Sequence, residues 1–205
     1  MPSDASVVAP GNYDGVHLGH QALLAAAREV ARDGERVTVL TFDPHPSKVL
    51  APLRAPPLLT TIARRAELLR AHGADGVEVA AFDRAFASQP AQRFVDAVLR
   101  ERLGARAVVV GPDFRFGRGR EGTSETLRAA GLEVREVAPV EMDGGVVSST
   151  RIRAAIHEGR VEDAARWLGR IHDVGGEVVK GDQRGRTIGV PTANLACEDV
   201  LLPAD

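Results

Sequence analysis

Cysteine and aromatic residues are scarce in this sequence, and both shortages limit what the protein can be. The single cysteine, Cys197, cannot form an internal disulfide, so a reducing cytoplasm is the expected compartment. No stretch approaches the roughly 18 uninterrupted apolar residues of a membrane helix, and the N-terminus lacks the pattern of a signal peptide. The net charge of −2 gives no electrostatic reason to expect nucleic acid or a membrane surface as a partner.

The remaining composition is that of an ordinary globular protein, with 44% hydrophobic and 26% charged residues. Short β-rich runs alternate with stretches of helical periodicity, and four of these helices close at a glycine. Such alternation predicts βαβ crossovers, hence an α/β fold with a mostly parallel sheet and helices on both faces. The predicted strands are 6–10, 37–42, 77–82, 107–111 and 132–137, and the predicted helices are 18–33, 62–72, 94–103 and 125–130.

The pattern changes after residue 148. Two short helices separated at Gly159 are expected, the first capped by Ser149 or Thr150. A glycine-rich segment with short β runs follows, which places a boundary near 169–175. The final 30 or so residues are too few to bury a core of their own. They are expected to be an appendage or the start of a larger β domain.

The stretch "GNYDGVHLGH" (11–20) follows a predicted strand and leads into a predicted helix. A glycine-rich turn at a helix N-terminus is a typical phosphate site, because backbone N–H groups and the positive helix end face the ligand. His17 and His20 lie in the first helical turn and can both point at that anion. Zinc also accepts histidines at this spacing, but it needs further ligands that nothing nearby supplies. Capping and packing histidines are the structural alternative.

A second candidate is "VSSTRIR" (147–153), where three hydroxyls precede a helix whose first turn carries Arg151 and Arg153. Cations are unfavourable at a helix N-terminus unless an anion offsets them. The stretch therefore indicates triphosphate contact by Ser148–Thr150 and Arg151. A capped helix with solvated arginines fits this stretch equally well.

Two loops complete the candidate site. "TFDPHPSKVLAP" (41–52) is expected to be a proline-stiffened loop with no helix until about residue 61. "GPDFRFGRGREG" (111–122) places Phe114 and Phe116 two apart, which predicts a stacking wall for a planar ligand. Plain connections and aromatic packing are the alternatives.

These four segments, in this order and at this spacing, resemble the signature segments of the bacterial bifunctional riboflavin kinase/FMN adenylyltransferases, also called FAD synthetases. The resemblance covers essentially residues 6–170, and the tail "GDQRGRTIGVPTANL" resembles the opening of the family's riboflavin kinase domain. It implies a Rossmann-like nucleotidylyltransferase domain over 1–170, and a linker with a partial kinase β-barrel over 171–205. Pro10 departs from the family pattern and removes one backbone donor near the expected nucleotide.

The resemblance also implies a role for each matching residue. The implied catalytic residues are His17, His20 and Arg151. The implied ATP-binding residues are Gly11, Asn12, Tyr13, Asp14, Gly15, Gly19, Gly111, Ser148, Ser149 and Thr150. The implied flavin-binding residues are Phe42, Pro44, His45, Pro46, Asp113, Phe114 and Phe116. The kinase motif is represented by Gly189, Pro191, Thr192 and Asn194.

The implied reaction transfers AMP from ATP to FMN and gives FAD and pyrophosphate, with Mg²⁺ bound chiefly through the phosphates and no protein metal site. Kinase activity is expected only of a longer chain that includes the rest of the kinase domain. Transfer to another phosphate acceptor, such as phosphopantetheine or nicotinamide mononucleotide, is the alternative among enzymes. A flavin-binding module with weak catalysis is the alternative of a different class.

Overall fold

The computed structural model describes residues 5–181, 189–190, 192–197 and 200–203. Its centre is a five-stranded parallel sheet in the order β3-β2-β1-β4-β5, which confirms the predicted fold class. The strands are Ser6–Pro10 (β1), Arg36–Asp43 (β2), Gly76–Ala81 (β3), Ala105–Val110 (β4) and Glu133–Glu136 (β5). In register, Val8 lies opposite Thr38 of β2 and Val108 of β4.

Helices connect these strands. They are Leu18–Val30 (α1), Pro46–Leu50 (α2), Ile62–Ala71 (α3), Arg84–Ala87 (α4), Ala91–Arg93 (α5), Ser124–Ala129 (α6), Ser149–His157 (α7) and Val161–Leu168 (α8). After α5 the chain continues as a π-helix over Phe94–Arg102. The four helices expected between the strands are therefore present, each starting or ending within a few residues of its predicted limits.

Alternate residues of the strands bury opposite faces of the sheet, as the two-residue period of a strand requires. Val7, Val37 and Val109 pack against Ala26 and Ala27 of α1 on one face. The other face uses a separate set of strand residues and is covered by the π-helix and α6; its members include Val8, Leu40, Val108, Val95, Leu99 and Leu127. Helices therefore cover both faces, as predicted.

Two local expectations are wrong. The 41–52 segment is not a helix-free loop, because His45 accepts a hydrogen bond from the Ser47 N–H and starts α2. A 3₁₀ turn at Pro52–Arg54 follows it. The cap of α7 is Ser148, one residue before the predicted position, and its side chain accepts from the Arg151 N–H at 3.3 Å. The second error arises because a polar side chain can cap a helix from any of several adjacent positions.

The C-terminal segment is β-rich, as expected. Glu177–Val179 (β8) pairs antiparallel with Asn194–Ala196 (β9), and the Leu201 N–H donates to the Leu58 carbonyl at 2.7 Å. Between β5 and α7, a short hairpin pairs Glu141–Met142 (β6) with Gly145–Val146 (β7). Among the described residues, no helix is both long and apolar enough to cross a membrane.

Candidate active site at the carboxyl ends of β1 and β4

The candidate site lies where the strand order changes direction. From β1 the chain moves to β2 and β3 on one side, whereas β4 and β5 lie on the other side. In open α/β sheets, ligands bind at such a point, beyond the carboxyl ends of the strands. Gly11 follows β1 there and donates its N–H to the Leu40 carbonyl of β2. Successive residues of a strand direct their N–H groups to opposite sides, so the position where Pro10 lacks an N–H is on the β4 side. The paired register between β1 and β4 ends earlier, at Val8.

The turn after β1 is strained. Tyr13, Gly15 and Val16 have φ of 53°, 85° and 43°, in the left-handed region that β-branched residues such as valine avoid. Such strain persists only where surrounding contacts determine the conformation. Here side chains from other segments hold the carbonyls of three consecutive residues. Ser149 donates to Asp14 at 2.8 Å, Arg170 to Gly15 at 2.9 Å, and Gln21 to Val16 at 3.0 Å.

The carboxylate of Asp14 is buried beneath this turn. It accepts from the backbone N–H groups of Leu59 and Thr60 at 3.0 and 3.1 Å, and from Arg153 at 2.5 Å. Arg65, itself buried, lies 3.3 Å away. Asp14 is 1% exposed, and its side chain holds the turn in place through these contacts within the protein. Tyr13 and Gly15 are buried in the same layer, so these three implied ATP-binding residues shape the turn.

His17 and His20 lie side by side at the start of α1. Their rings stack with centroids 3.6 Å apart and an interplanar angle of 19°. A Cβ at Gly19 would lie 3.1 Å from the ring of His17, so glycine permits this close approach. Both Nδ1 atoms are buried and have no hydrogen-bond partner among the described residues. No side chain caps α1, which leaves the first backbone N–H groups of the helix available to an anion.

Both imidazoles are neutral at pH 7. Burial lowers the pKa of His17 to about 4, and the Asp14 carboxylate only partly opposes this effect. Burial also holds the pKa of His20 well below 6.5, and the nearby positive charge of Arg65 lowers it further. A neutral imidazole donates one N–H and accepts at its other nitrogen. The pair can therefore offer two N–H donors to an anionic ligand.

This depressed pKa predicts that acid destabilises the protein. Between pH 6.5 and pH 4 the unfolded chain protonates His17 while the folded chain does not, so the free energy of unfolding falls as the pH is lowered. From pH 7 to pH 5 the expected loss from His17 is about 2 kcal/mol. Urea denaturation at both pH values measures it. The variant His17→Gln should lose correspondingly less over this range, and an equal loss in both proteins would contradict the prediction.

The N-terminus of α7 lies beside the histidines. A Cβ at Gly19 would be 3.6 Å from the Val147 carbonyl, and Ser149 donates to the Asp14 carbonyl. Thr150, by contrast, is exposed. Two helix N-termini and their hydroxyls therefore converge near the two imidazoles, an arrangement suited to a polyphosphate.

Arg151 does not point toward this convergence. Its guanidinium donates to the carbonyls of Met142, Asp143 and Gly145 at 2.7, 3.0 and 2.9 Å, and lies 3.9 Å from the centre of the Trp167 ring. In the structure, groups of the protein itself offset the charges of both arginines at this helix start. The hairpin carbonyls satisfy Arg151, and Asp14 satisfies Arg153, as folding brings both partners to the helix.

An aromatic cavity of about 590 Å³ opens beside the turn. Gly11 and Asn12 line its end nearest the histidines, and Pro46 and Asp113 also contribute. The remaining wall contains every phenylalanine of the chain, namely Phe42, Phe82, Phe86, Phe94, Phe114 and Phe116. Phe114 and Phe116 stack with centroids 5.5 Å apart, as the wall predicted from the sequence requires.

Sequence reasoning missed Phe82, Phe86 and Phe94, which lie just after β3, on α4 and at the start of the π-helix. A signal was present, because a chain with six phenylalanines places all of them in three short stretches. Two expected members do not line the cavity. His45 caps α2, and Pro44 precedes it in the same turn. Gly111 follows β4, and the space that a Cβ would occupy there is open.

The kinase-like motif lies in the β8–β9 region. Asn194 begins β9 and pairs with Val179, and Gly189 has a left-handed φ of 76°. Thr192 is exposed, and Pro191 lies outside the described residues. Among the described residues, no three His, Cys, Asp or Glu side chains are grouped to hold a metal ion.

Comparison with protein families settles the relationship. The model of the FAD synthetase family matches residues 2–151, which include both histidines and most of the cavity. The chain belongs to the FAD synthetase family. A riboflavin kinase family model matches residues 168–205.

Curated relatives of this FAD synthetase family member agree with the assignment. A bifunctional riboflavin kinase/FMN adenylyltransferase from Escherichia coli (strain K12) is 40% identical over 207 residues, which cover 98% of this chain. A protein of the same description from Listeria monocytogenes is 41% identical over 203 residues and 96% of this chain. The chain spans 66% and 64% of the lengths of these two relatives.

A solved structure shares the fold over the whole chain. It is described as a macrolide-efflux protein from Streptococcus pneumoniae and is 39% identical, with a TM-score of 0.88. The similarity covers 100% of this chain and 68% of that protein.

Proposed function

We propose that this chain is an FMN adenylyltransferase, which transfers AMP from ATP to FMN and releases FAD and pyrophosphate. One observation carries the proposal. A cavity walled by six phenylalanines opens at Gly11 and Asn12, on the same turn that presents two neutral histidines at a helix N-terminus. A planar tricyclic ring fits an aromatic cavity of this volume, and a polyphosphate fits the helix N-terminus.

The reaction needs little acid–base chemistry from the protein. An oxygen of the FMN phosphate attacks the α-phosphorus of ATP, a new P–O bond forms, and the bond to the β-phosphate oxygen breaks. Because the attacking phosphate is already ionised at pH 7, no general base is required. Catalysis consists of positioning the two substrates and stabilising charge on the phosphates.

In this proposal His17 and His20 each donate one N–H to the α- and β-phosphate oxygens. The first backbone N–H groups of α1 add donors, with Gly19 allowing close approach. At the start of α7, the hydroxyls of Ser148 and Thr150 and the backbone N–H of Ser149, whose hydroxyl is held by Asp14, support the remaining phosphates. Mg²⁺ enters with ATP as part of the substrate, bound through the phosphates. The open space beside Gly111 leaves room for the adenosine.

The flavin would occupy the aromatic cavity. Phe42, Phe114 and Phe116 form its wall, together with the three phenylalanines that only the fold reveals. Asp113 and Pro46 border the ring, and Asn12 lies toward the phosphate. Neither Pro44 nor His45 needs to touch the flavin, since both act by forming the turn that starts α2.

Domain organisation and compartment are part of the same proposal. Residues up to about 170 form the adenylyltransferase unit, and the segment from 171 onward belongs to a kinase-like second unit, as the two family matches suggest. The lone cysteine favours a reducing compartment such as the cytoplasm.

The test is FAD formation from FMN, ATP and Mg²⁺, followed by chromatography of the flavins. The proposal predicts FAD in amounts equal to the pyrophosphate released. FMN binding measured by quenching of flavin fluorescence, without any FAD, would instead favour a flavin-binding module. Adenylylation of phosphopantetheine or nicotinamide mononucleotide in preference to FMN would favour the other enzyme class.

The aromatic wall gives a residue-level prediction. Phe86→Ala should raise KM for FMN about five- to tenfold, since one aromatic contact is worth about 1 kcal/mol, and should leave KM for ATP unchanged. Steady-state kinetics with each substrate varied in turn measures both constants. Leu53→Ala is the matched control, because Leu53 is a fully exposed apolar side chain outside the cavity. Equal effects of the two changes would contradict a flavin site here.

A further inference from the structure

The segment that follows α8 lies directly against the histidine-bearing turn. Gly169 ends α8 with φ of 70°, and a Cβ there would lie 2.9 Å from Leu18. Gln21 donates one hydrogen bond to Leu168 and another to Val16, at 2.9 and 3.0 Å. The end of α8 and the start of α1 therefore form one packed unit, although about 150 residues separate them in sequence.

Arg170 is the charged member of this contact. Its Nη1 donates to the Gly15 carbonyl at 2.9 Å, and its side chain is 17% exposed. Its Nε and Nη2 atoms are buried without a hydrogen-bond partner among the described residues, and the nearest carboxylate oxygen, on Asp173, is 3.7 Å from Nε. Burying donors that remain unpaired costs free energy, so a contribution to folding stability does not by itself account for an arginine at this position.

The hydrogen bond from Arg170 to the Gly15 carbonyl is made two residues before His17 in the chain. Gly15 and Val16 both have left-handed φ values, and Val16 immediately precedes His17. A β-branched residue released from that conformation relaxes to a common backbone region and rotates the peptide that leads to the histidine. The Gly15 carbonyl is the middle one of the three that external side chains hold.

We infer that Arg170 is a positioning residue for adenylyl transfer, which holds the Gly15 carbonyl and thereby fixes the strained turn that presents His17 and His20 to the phosphates. The inference rests on the proposed function. It also makes the segment after α8, which lies at the start of the riboflavin kinase match, part of the adenylylation site. The aromatic wall of the flavin cavity is contributed by other segments of the chain.

The experiment compares Arg170→Met and Arg170→Lys with the wild type in the full chain. Methionine keeps much of the volume and removes every donor, whereas lysine can still donate to Gly15. We expect Arg170→Met to lower kcat by about tenfold to a hundredfold, the typical effect of misplacing a catalytic group, and Arg170→Lys to restore most of it. FMN affinity, measured by fluorescence quenching, should match the wild type in both variants. Arg166→Met is the control, because Arg166 lies on α8 and forms only exposed ion pairs.

The outcomes separate a positioning role from a structural one. A fall in kcat with an unchanged melting temperature, and recovery with lysine, supports the inference. Wild-type kcat in Arg170→Met overturns it. A fall in kcat that tracks an equal loss of stability and flavin affinity in both variants also overturns it, since the residue is then merely structural. The proposed function is judged separately, by whether the wild-type protein forms FAD.

Discussion

The variant His20→Ala is expected to lose about 10²–10³ in turnover, the typical effect of removing one donor that stabilises transition-state charge. His20 stacks on His17 at the N-terminus of α1, and its Nδ1 has no protein partner among the described residues. Its neutral ring therefore retains hydrogen-bonding capacity for phosphate oxygens as charge builds on them. The loss should appear chiefly in kcat, because FMN is held in the separate aromatic cavity.

Rates of FAD formation under saturating ATP and FMN measure this loss. His72→Ala is the matched control, since His72 is an exposed histidine at the end of α3 and should retain full turnover. Circular dichroism and flavin quenching establish that the His20 variant is folded and binds FMN. Unchanged turnover in such a folded variant would remove His20 from the phosphate site.

The variant Asp14→Ala is expected to lose about 3–5 kcal/mol of unfolding free energy, the usual result of breaking a buried charge pair from one side. The change removes the carboxylate that pairs with Arg65, which is 2% exposed, and with Arg153. It also leaves the backbone N–H groups of Leu59 and Thr60 without their acceptor. Interactions that join the turn to residues 59–65 and to α7 are lost together.

Urea denaturation at pH 7 measures the effect on stability. Asp163→Ala serves as the control, because Asp163 pairs with partly exposed arginines on the surface and its loss should cost less than about 1 kcal/mol. Asp14→Asn keeps one oxygen acceptor and should fall between the two. If Asp14→Ala loses no more unfolding free energy than Asp163→Ala, the stabilising role of the Asp14 carboxylate is contradicted.

Much of the fold could be predicted because the hydrophobic periods of strands and helices are visible in short stretches of sequence. The run from Ser6 to Pro10 is buried throughout, and the structure gives β1 these same limits. The glycines after the helices were also informative, since Gly34, Gly73, Gly104 and Gly131 all adopt positive φ. The α2 helix was missed because its cap is a histidine, His45, which a propensity argument does not favour.

The site was only partly predictable. His17 and His20 are adjacent in the helical period, so their pairing follows from spacing alone. The position of the Arg151 guanidinium does not follow from spacing. Its three carbonyl partners come from a hairpin turn whose position depends on packing against α8. Phe82, Phe86 and Phe94 cluster in sequence, but only the packing of their elements brings them to the same wall as Phe42, Phe114 and Phe116.

The sequence by itself determined the α/β class, the family resemblance and the two histidines, because these depend on short-range periodicity and on motifs of consecutive residues. The tertiary structure alone decided which groups hold the histidine turn in place. The Asp14 carboxylate pairs with two arginines, and Ser149 and Arg170 donate hydrogen bonds to carbonyls of the turn. The physical reason is that a buried charge or a strained backbone is stable only with partners of suitable geometry. Those partners are brought together by sheet order and helix packing.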